Sequence, residues 1–129
     1  MRIYITHCSA KKIKNTNKEV TPDKMYTATP TQRFIKRCKE RGVNWAIFSD
    51  LYGVWFPNIK HKWYEKHPDS VTSVEFGKLV EDFELKLKGY SQIYFYYNPG
   101  RFHWLYDKLL RENNLKSRIK RLTHKEDIL

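Results

Sequence analysis

The sequence has only two cysteines, Cys8 and Cys38, in 129 residues. Two thiols make no disulfide framework, and that usage fits a reducing interior. Five glycines and five prolines are too few for a collagen-like, low-complexity or disordered chain. No apolar run approaches the roughly 18 residues of a membrane span. Met1-Arg2-Ile3-Tyr4 opens on a strand-like run and not on a signal peptide. A Gly-rich phosphate loop and a GxGxxG fingerprint are both missing, so nucleotide folds of those kinds have no support. Metal-ligand spacing is missing too. His7 and Cys8 are neighbours that point to opposite faces of a strand, and His61, His67, His103 and His124 are scattered. No metal and no cofactor are expected. Acidic residues are scarce, 14 against 25 Lys and Arg.

What is present is a heavy aromatic load, seven Phe, nine Tyr and four Trp, within a chain of one domain's length. Such a chain buries roughly two-thirds of its unfolded surface and needs no staple. The reading is a soluble, cytoplasmic, basic α/β domain spanning 1–129. Its net charge of +11 is uneven. Residues 1–48 hold a surplus of +8, residues 49–100 a net of −1, and residues 101–129 a net of +4. A surplus of this size favours polyanionic partners, because neutralised phosphates release counterions. A Lys-rich face that serves only solubility is the plainer alternative. No basic amphipathic terminal helix supports a membrane partner.

Periodicity orders the chain as β-α-β-α-β-α. Strands are expected at Arg2–Thr6, Asn44–Ser49 and Gln92–Tyr97, all rich in β-branched and aromatic residues. The first helix is expected to start with Thr29 as cap, Pro30 in its first turn and Gln32 completing a capping box, and to end at Gly42. The second starts at Thr72 with Glu75 three residues on and stops at Gly89. The third follows Asn98-Pro99 and buries Phe102, Leu105, Tyr106, Leu109 and Leu110. Ile119–Leu122 reads as a short strand, and 9–28 and 50–71 read as irregular. The expected fold is a three-layer α/β sandwich, a mostly parallel sheet of three to four strands with helices on both faces.

In open parallel sheets, ligands bind beyond the carboxyl ends of the strands. Three loops leave those ends here. The first carries Cys8, Ser9, Lys11 and Lys12. A thiol beside ammonium groups would have a lowered pKa and serve as a nucleophile, while Ser9 and the lysines suit an anion. The alternative is a small buried cysteine and a turn serine. The second loop carries Asp50 and Tyr52, with Gly53 in a backbone shape closed to other residues. Asp50 would orient water or substrate; otherwise it is a turn residue. Glu65 is a further carboxylate in the same connection. The third loop carries Asn98 as a helix cap, Gly100, and Arg101 as a phosphate donor, with His103 as acid or base.

Basic and aromatic residues interleave from Trp55 to Tyr64, which suits stacking on exposed bases, with Trp63 and Tyr64 the better candidates. Arg33, Lys36 and Arg37 make the first helix a basic face.

Cys8-Ser9-Ala10-Lys11-Lys12, Met25-Tyr26-Thr27-Ala28 with Phe34, Phe48-Ser49-Asp50-Leu51-Tyr52-Gly53-Val54-Trp55 and Tyr64-Glu65 together resemble a family of small α/β proteins of uncharacterised activity. Its pattern runs Cys-Gly/Ser-x-Lys-Lys, Leu-Tyr-x-Ser, Leu-Ser-Ala-Lys-Tyr-Gly-Leu and Tyr-Asp/Glu. That family is similar to the uracil-DNA-glycosylase-like domain of archaeosine synthase. The resemblance implies handling of a nucleic-acid base or nucleotide. It singles out Cys8, Ser9, Lys11, Lys12, Tyr26, Ser49, Tyr52, Gly53 and Tyr64. Asp50-Leu51 stand where the pattern has Ala-Lys, which loses a basic residue.

Two functions are therefore expected to compete. One is base or nucleotide processing in a phosphate-binding cleft at the strand ends, using Asp50, His103 and Cys8. The other is non-catalytic nucleic-acid binding through the basic helix and exposed aromatics.

Overall fold

A computed structural model describes residues 1–129. Its elements are β1 (Arg2–His7), α1 (Pro22–Met25), α2 (Thr29–Arg41), β2 (Asn44–Ser49), β3 (Gly53–Trp55), α3 (Ser73–Leu87), β4 (Gln92–Tyr96), α4 (Trp104–Arg111) and β5 (Ile119–Leu122). The fold is α/β, with one mixed, mostly parallel sheet in the order β3-β2-β1-β4-β5. The expected three to four strands become five. The strand expected in the tail forms β5, parallel to β4. The additional strand is β3, antiparallel to β2. It follows a tight turn that closes on Gly53 at φ +72°, a left-handed conformation that glycine adopts without steric cost.

Gly53 is fixed by space as well as by dihedral angle. A Cβ there would lie 2.1 Å from Asp82 Oδ2. That carboxylate accepts the Val54 N–H at 2.8 Å, and Lys86 Nζ donates to the Val54 carbonyl at 2.9 Å. Side chains of α3 thus saturate the outer edge of β3, where an unpaired strand would otherwise recruit another chain.

β1 and β2 pair in parallel with His7 opposite Phe48, and β1 and β4 with Thr6 opposite Tyr96. Alternation puts His7 and Phe48 on one face and Thr6 and Tyr96 on the other. Phe34 of α2 stacks on Tyr96, with centroids 5.7 Å apart. Phe83 of α3 and Tyr106 of α4 meet Phe48 on the opposite face. Ile3, Ile5, Ala46, Ile47, Ile93 and Phe95 are fully buried between these helices.

Two helix starts differ from expectation. α2 has Ala28 at its N-cap with no side-chain cap, so Thr29 and Gln32 form no capping box. Gln32 instead donates to the Asp23 and Tyr26 carbonyls, tying α2 to the one-turn helix α1. Asn98 caps only a single 3-10 turn, Pro99–Arg101. The α4 helix begins at Trp104, capped by His103. The capping box expected at Thr72 and Glu75 is present in full. No helix is long and apolar enough to cross a membrane.

Candidate functional site: a cleft at the strand ends

The strand order reverses at β1. From there the chain crosses to β2 on one side, and later to β4 on the other. This is the position at which open α/β sheets leave a crevice. A cleft of about 710 Å³ opens there, over the carboxyl ends of the parallel strands. Its lining includes His7 at the end of β1 and Cys8 just past it, Asp50 just past β2, Tyr96 at the end of β4 with Tyr97 and Asn98 beyond it, and Thr123 and His124 past β5. Four of the five histidines of the chain line it. They form no cluster with Cys, Asp or Glu that could hold a metal ion.

At the floor, Asp50 is 4% exposed. Tyr106 donates its hydroxyl to Asp50 Oδ1 at 2.7 Å, and the Cys8 thiol lies 3.4 Å from the same hydroxyl. Burial raises the Asp50 carboxyl above its ordinary range, outweighing the hydrogen bonds made to it, that of Tyr106 foremost. Burial also pushes the Cys8 thiol up to about 12. This is opposite to the direction expected from Lys11 and Lys12, and it leaves Cys8 a protonated thiol and not a poised nucleophile.

His7 was not singled out by the sequence. Its ring stacks on Tyr106, with centroids 4.7 Å apart and planes 14° from parallel. Its Nδ1 lies 2.8 Å from the Cys8 carbonyl, which can only accept, so Nδ1 carries the proton and Nε2 a lone pair. Burial lowers the His7 pKa and keeps the ring neutral. No buried side-chain nitrogen or oxygen lacks a partner, so the unpartnered Nε2 is open to the cleft that His7 lines.

Behind Asp50 lies a buried hydroxyl network. Ser49 Oγ accepts the N–H groups of Leu51 and Tyr52 at 3.2 and 3.0 Å, which shapes the turn that carries Asp50. Ser49 in turn donates to the Tyr64 hydroxyl at 3.1 Å, and Tyr64 is hydrogen-bonded to Tyr26. Burial raises the pKa of both tyrosines, which keeps both protonated. Tyr52 stacks on His61 at 3.9 Å and donates to the Lys62 carbonyl. Tyr26, Ser49, Tyr52, Gly53 and Tyr64 therefore stand behind the cleft and do not line it.

Two walls rise from this floor. On the Tyr96 face stand the start of α2, with Pro30, Thr31 and Arg33, and the turn His124–Glu126. Arg37 ties them together by donating to the carbonyls of Ile128 and Glu126 at 3.2 and 3.3 Å. On the other face stands the segment Glu65–Pro68, whose His67 ring meets that of His103, the N-cap of α4, edge-on. His103 clasps it there. Nδ1 accepts the Leu105 N–H at 3.0 Å, so Nε2 carries the proton and donates to Asp69 Oδ1 at 2.6 Å. Both ring nitrogens of His103 are thus engaged.

Of the residues expected at the strand ends, Cys8, Ser9, Lys12, Asp50, Glu65, Asn98, Arg101 and His103 line the cleft, while Lys11 and Gly100 do not. Arg33, expected on a nucleic-acid face, lines it as well, whereas Lys36 lies on the outer side of α2. Trp63 donates its indole N–H to the Ile13 carbonyl at 2.9 Å, and Tyr64 is buried under Lys12 Nζ, 4.7 Å from its ring centroid. The exposed tryptophan is Trp104, beside His103.

No protein-family model, no curated protein and no solved structure matches the chain.

Proposed function

We propose that this protein is an enzyme that acts on a nucleotide or nucleobase bound in the cleft between β1 and β4. The phosphate faces the basic mouth, and the reacting end faces Asp50. The observation that carries this reading is the buried Asp50 carboxyl at the floor of a nucleotide-sized cleft, with only Oδ1 taken by a hydroxyl donor. A buried carboxyl with a raised pKa costs stability at neutral pH, and such groups concentrate at functional sites. Asp50 orients water or a substrate N–H or O–H donor. His7, neutral and with its Nε2 lone pair open to the cleft, is the adjoining proton acceptor. Arg101 and Arg33 supply bidentate phosphate donors. The uncapped start of α2, with no acid in its first turn, adds a favourable dipole. Helices on both faces of the sheet, as in a three-layer sandwich, supply the two walls. The resemblance seen in the sequence points to the same substrate class.

The test is turnover of a panel of nucleosides, nucleotides and base-modified oligonucleotides, followed by chromatography, for the native chain and for Asp50→Asn. The expected result is a product from the native chain, no product from Asp50→Asn, and an unchanged circular dichroism spectrum. Equal turnover by the variant would remove Asp50 from the chemistry.

A further inference from the structure

The cleft walls carry a pattern of charge that narrows the ligand, and the argument rests on the reading of the cleft as a nucleotide site. Lys66 lines the cleft but is paired with Glu75 at 2.8 Å, and Asp50 lies at the floor. The remaining charged groups are Lys12, Arg33, Arg101 and Lys125 against Glu65 and Glu126. The balance is an excess of two positive charges. Each wall also contributes one carboxylate, Glu126 in the turn tied to α2 and Glu65 in the segment beside His103. These two carboxylates hold the excess to two charges, which one phosphomonoester dianion satisfies and a strand of several phosphodiesters exceeds.

The aromatic residues point the same way. Proteins that bind single strands offer successive open rings for successive bases. Here Tyr96 and Tyr97 reach the cleft, but Tyr96 has Phe34 stacked against one face, and Tyr97 has Phe102 at 4.1 Å. Tyr64 is buried, Trp63 is half-buried with its indole N–H bound to the Ile13 carbonyl, and neither Trp63, Tyr64 nor Trp104 lines the cleft. The cleft volume of about 710 Å³ falls within the range of small-molecule sites.

We infer that the ligand is a free phosphomonoester of mononucleotide size, bound as its dianion, and not a nucleic-acid strand. A phosphomonoester carries a charge of about −1.5 to −2 at neutral pH, which matches the excess on the walls. Its terminal phosphate presents three acceptor oxygens to the two arginines, whereas an internal phosphodiester presents two and a single charge.

Isothermal titration at neutral pH and moderate salt tests this with four probes. They are inorganic phosphate, a nucleoside 5′-monophosphate, the matching nucleoside, and an unphosphorylated oligonucleotide of the same base. The expected order has the monophosphate tightest, displaced by inorganic phosphate, with nucleoside and oligonucleotide each weaker by about tenfold or more. Arg33→Ala weakens the monophosphate by roughly tenfold. Arg41→Ala, at the far end of α2, leaves it unchanged. An oligonucleotide that binds as tightly as the monophosphate, or a nucleoside that does, overturns this inference while the cleft remains a nucleotide or base site. If none of the four binds, the nucleotide reading itself falls, and this inference with it.

Discussion

Tyr106 and Asp50 are 56 residues apart in sequence, and the Tyr106 hydroxyl donates to Asp50 Oδ1 at 2.7 Å. The same ring stacks on His7, so one side chain of α4 sets both the carboxyl and the imidazole at the floor of the cleft. Tyr106→Phe keeps the ring and removes the bond. The Tyr106 hydrogen bond is the largest influence that holds the Asp50 pKa down, so the variant raises it further. Carbon-13 NMR titration of the Asp50 carboxyl measures this directly. A net loss of about 1–3 kcal/mol in unfolding free energy is expected where Asp50 is ionised. An unmoved Asp50 titration would mean that the hydroxyl does not support the carboxylate.

The pH dependence of stability has a definite sign at Asp50. Its folded pKa lies above the ordinary carboxylate value, so between the two the fold holds a proton that the unfolded chain has released. Its contribution is therefore full below roughly pH 4 and is lost as pH rises through the folded value. Asp50→Asn removes this dependence and is more stable than the native chain at neutral pH. The exposed carboxylates Asp69 and Glu75 run the other way. Hydrogen bonds from His103 and Lys66 depress them, Glu75 to about 2, so what they add is present above the ordinary range and lost on acidification. Urea denaturation of both chains across pH isolates Asp50, because the opposing carboxylates are common to both.

Gly53→Ala meets two obstacles at once, a positive φ and the Asp82 carboxylate. To make room, Asp82 must leave the Val54 N–H. Together these cost roughly 2–4 kcal/mol, measurable as a lower urea midpoint. A midpoint equal to that of the native chain would show that β3 is not held in this way.

Arg37 lies outside the cleft yet fastens one of its walls. Arg37→Ala leaves the carbonyls of Ile128 and Glu126 without the guanidinium. Hydrogen exchange at the Asp127 and Ile128 amides, which close the last turn of the chain, is expected to quicken. Monophosphate affinity falls with it, although Arg37 touches no ligand. Unchanged exchange would place the fastening elsewhere.

The parallel core was legible because β1, β2 and β4 are unbroken β-branched and aromatic runs, and α3 has a complete capping box. β3 was not, since three residues after a turn carry no period. Its one signal was Gly53 followed by Val54-Trp55. The cleft was legible through topology, which gathers Cys8, Asp50, Asn98 and His103. The roles of individual residues were less so. Cys8 differs from expectation because burial governs its thiol more than the neighbouring lysines do. Trp63 and Tyr64 make long-range bonds, to Ile13 and to Ser49 and Tyr26, that spacing does not reveal. His7 was hidden because its value lies in a tautomer set by the Cys8 carbonyl and a stack on Tyr106.

A crystal of the protein soaked with a nucleoside 5′-monophosphate shows whether the cleft holds such a ligand. The predicted result is a single ligand over the carboxyl ends of β1 and β4, its phosphate held by Arg33 and Arg101 and its other end within hydrogen-bonding distance of Asp50. A ligand bound on the outer face of α2, or a cleft left empty at concentrations where titration shows binding, would contradict it.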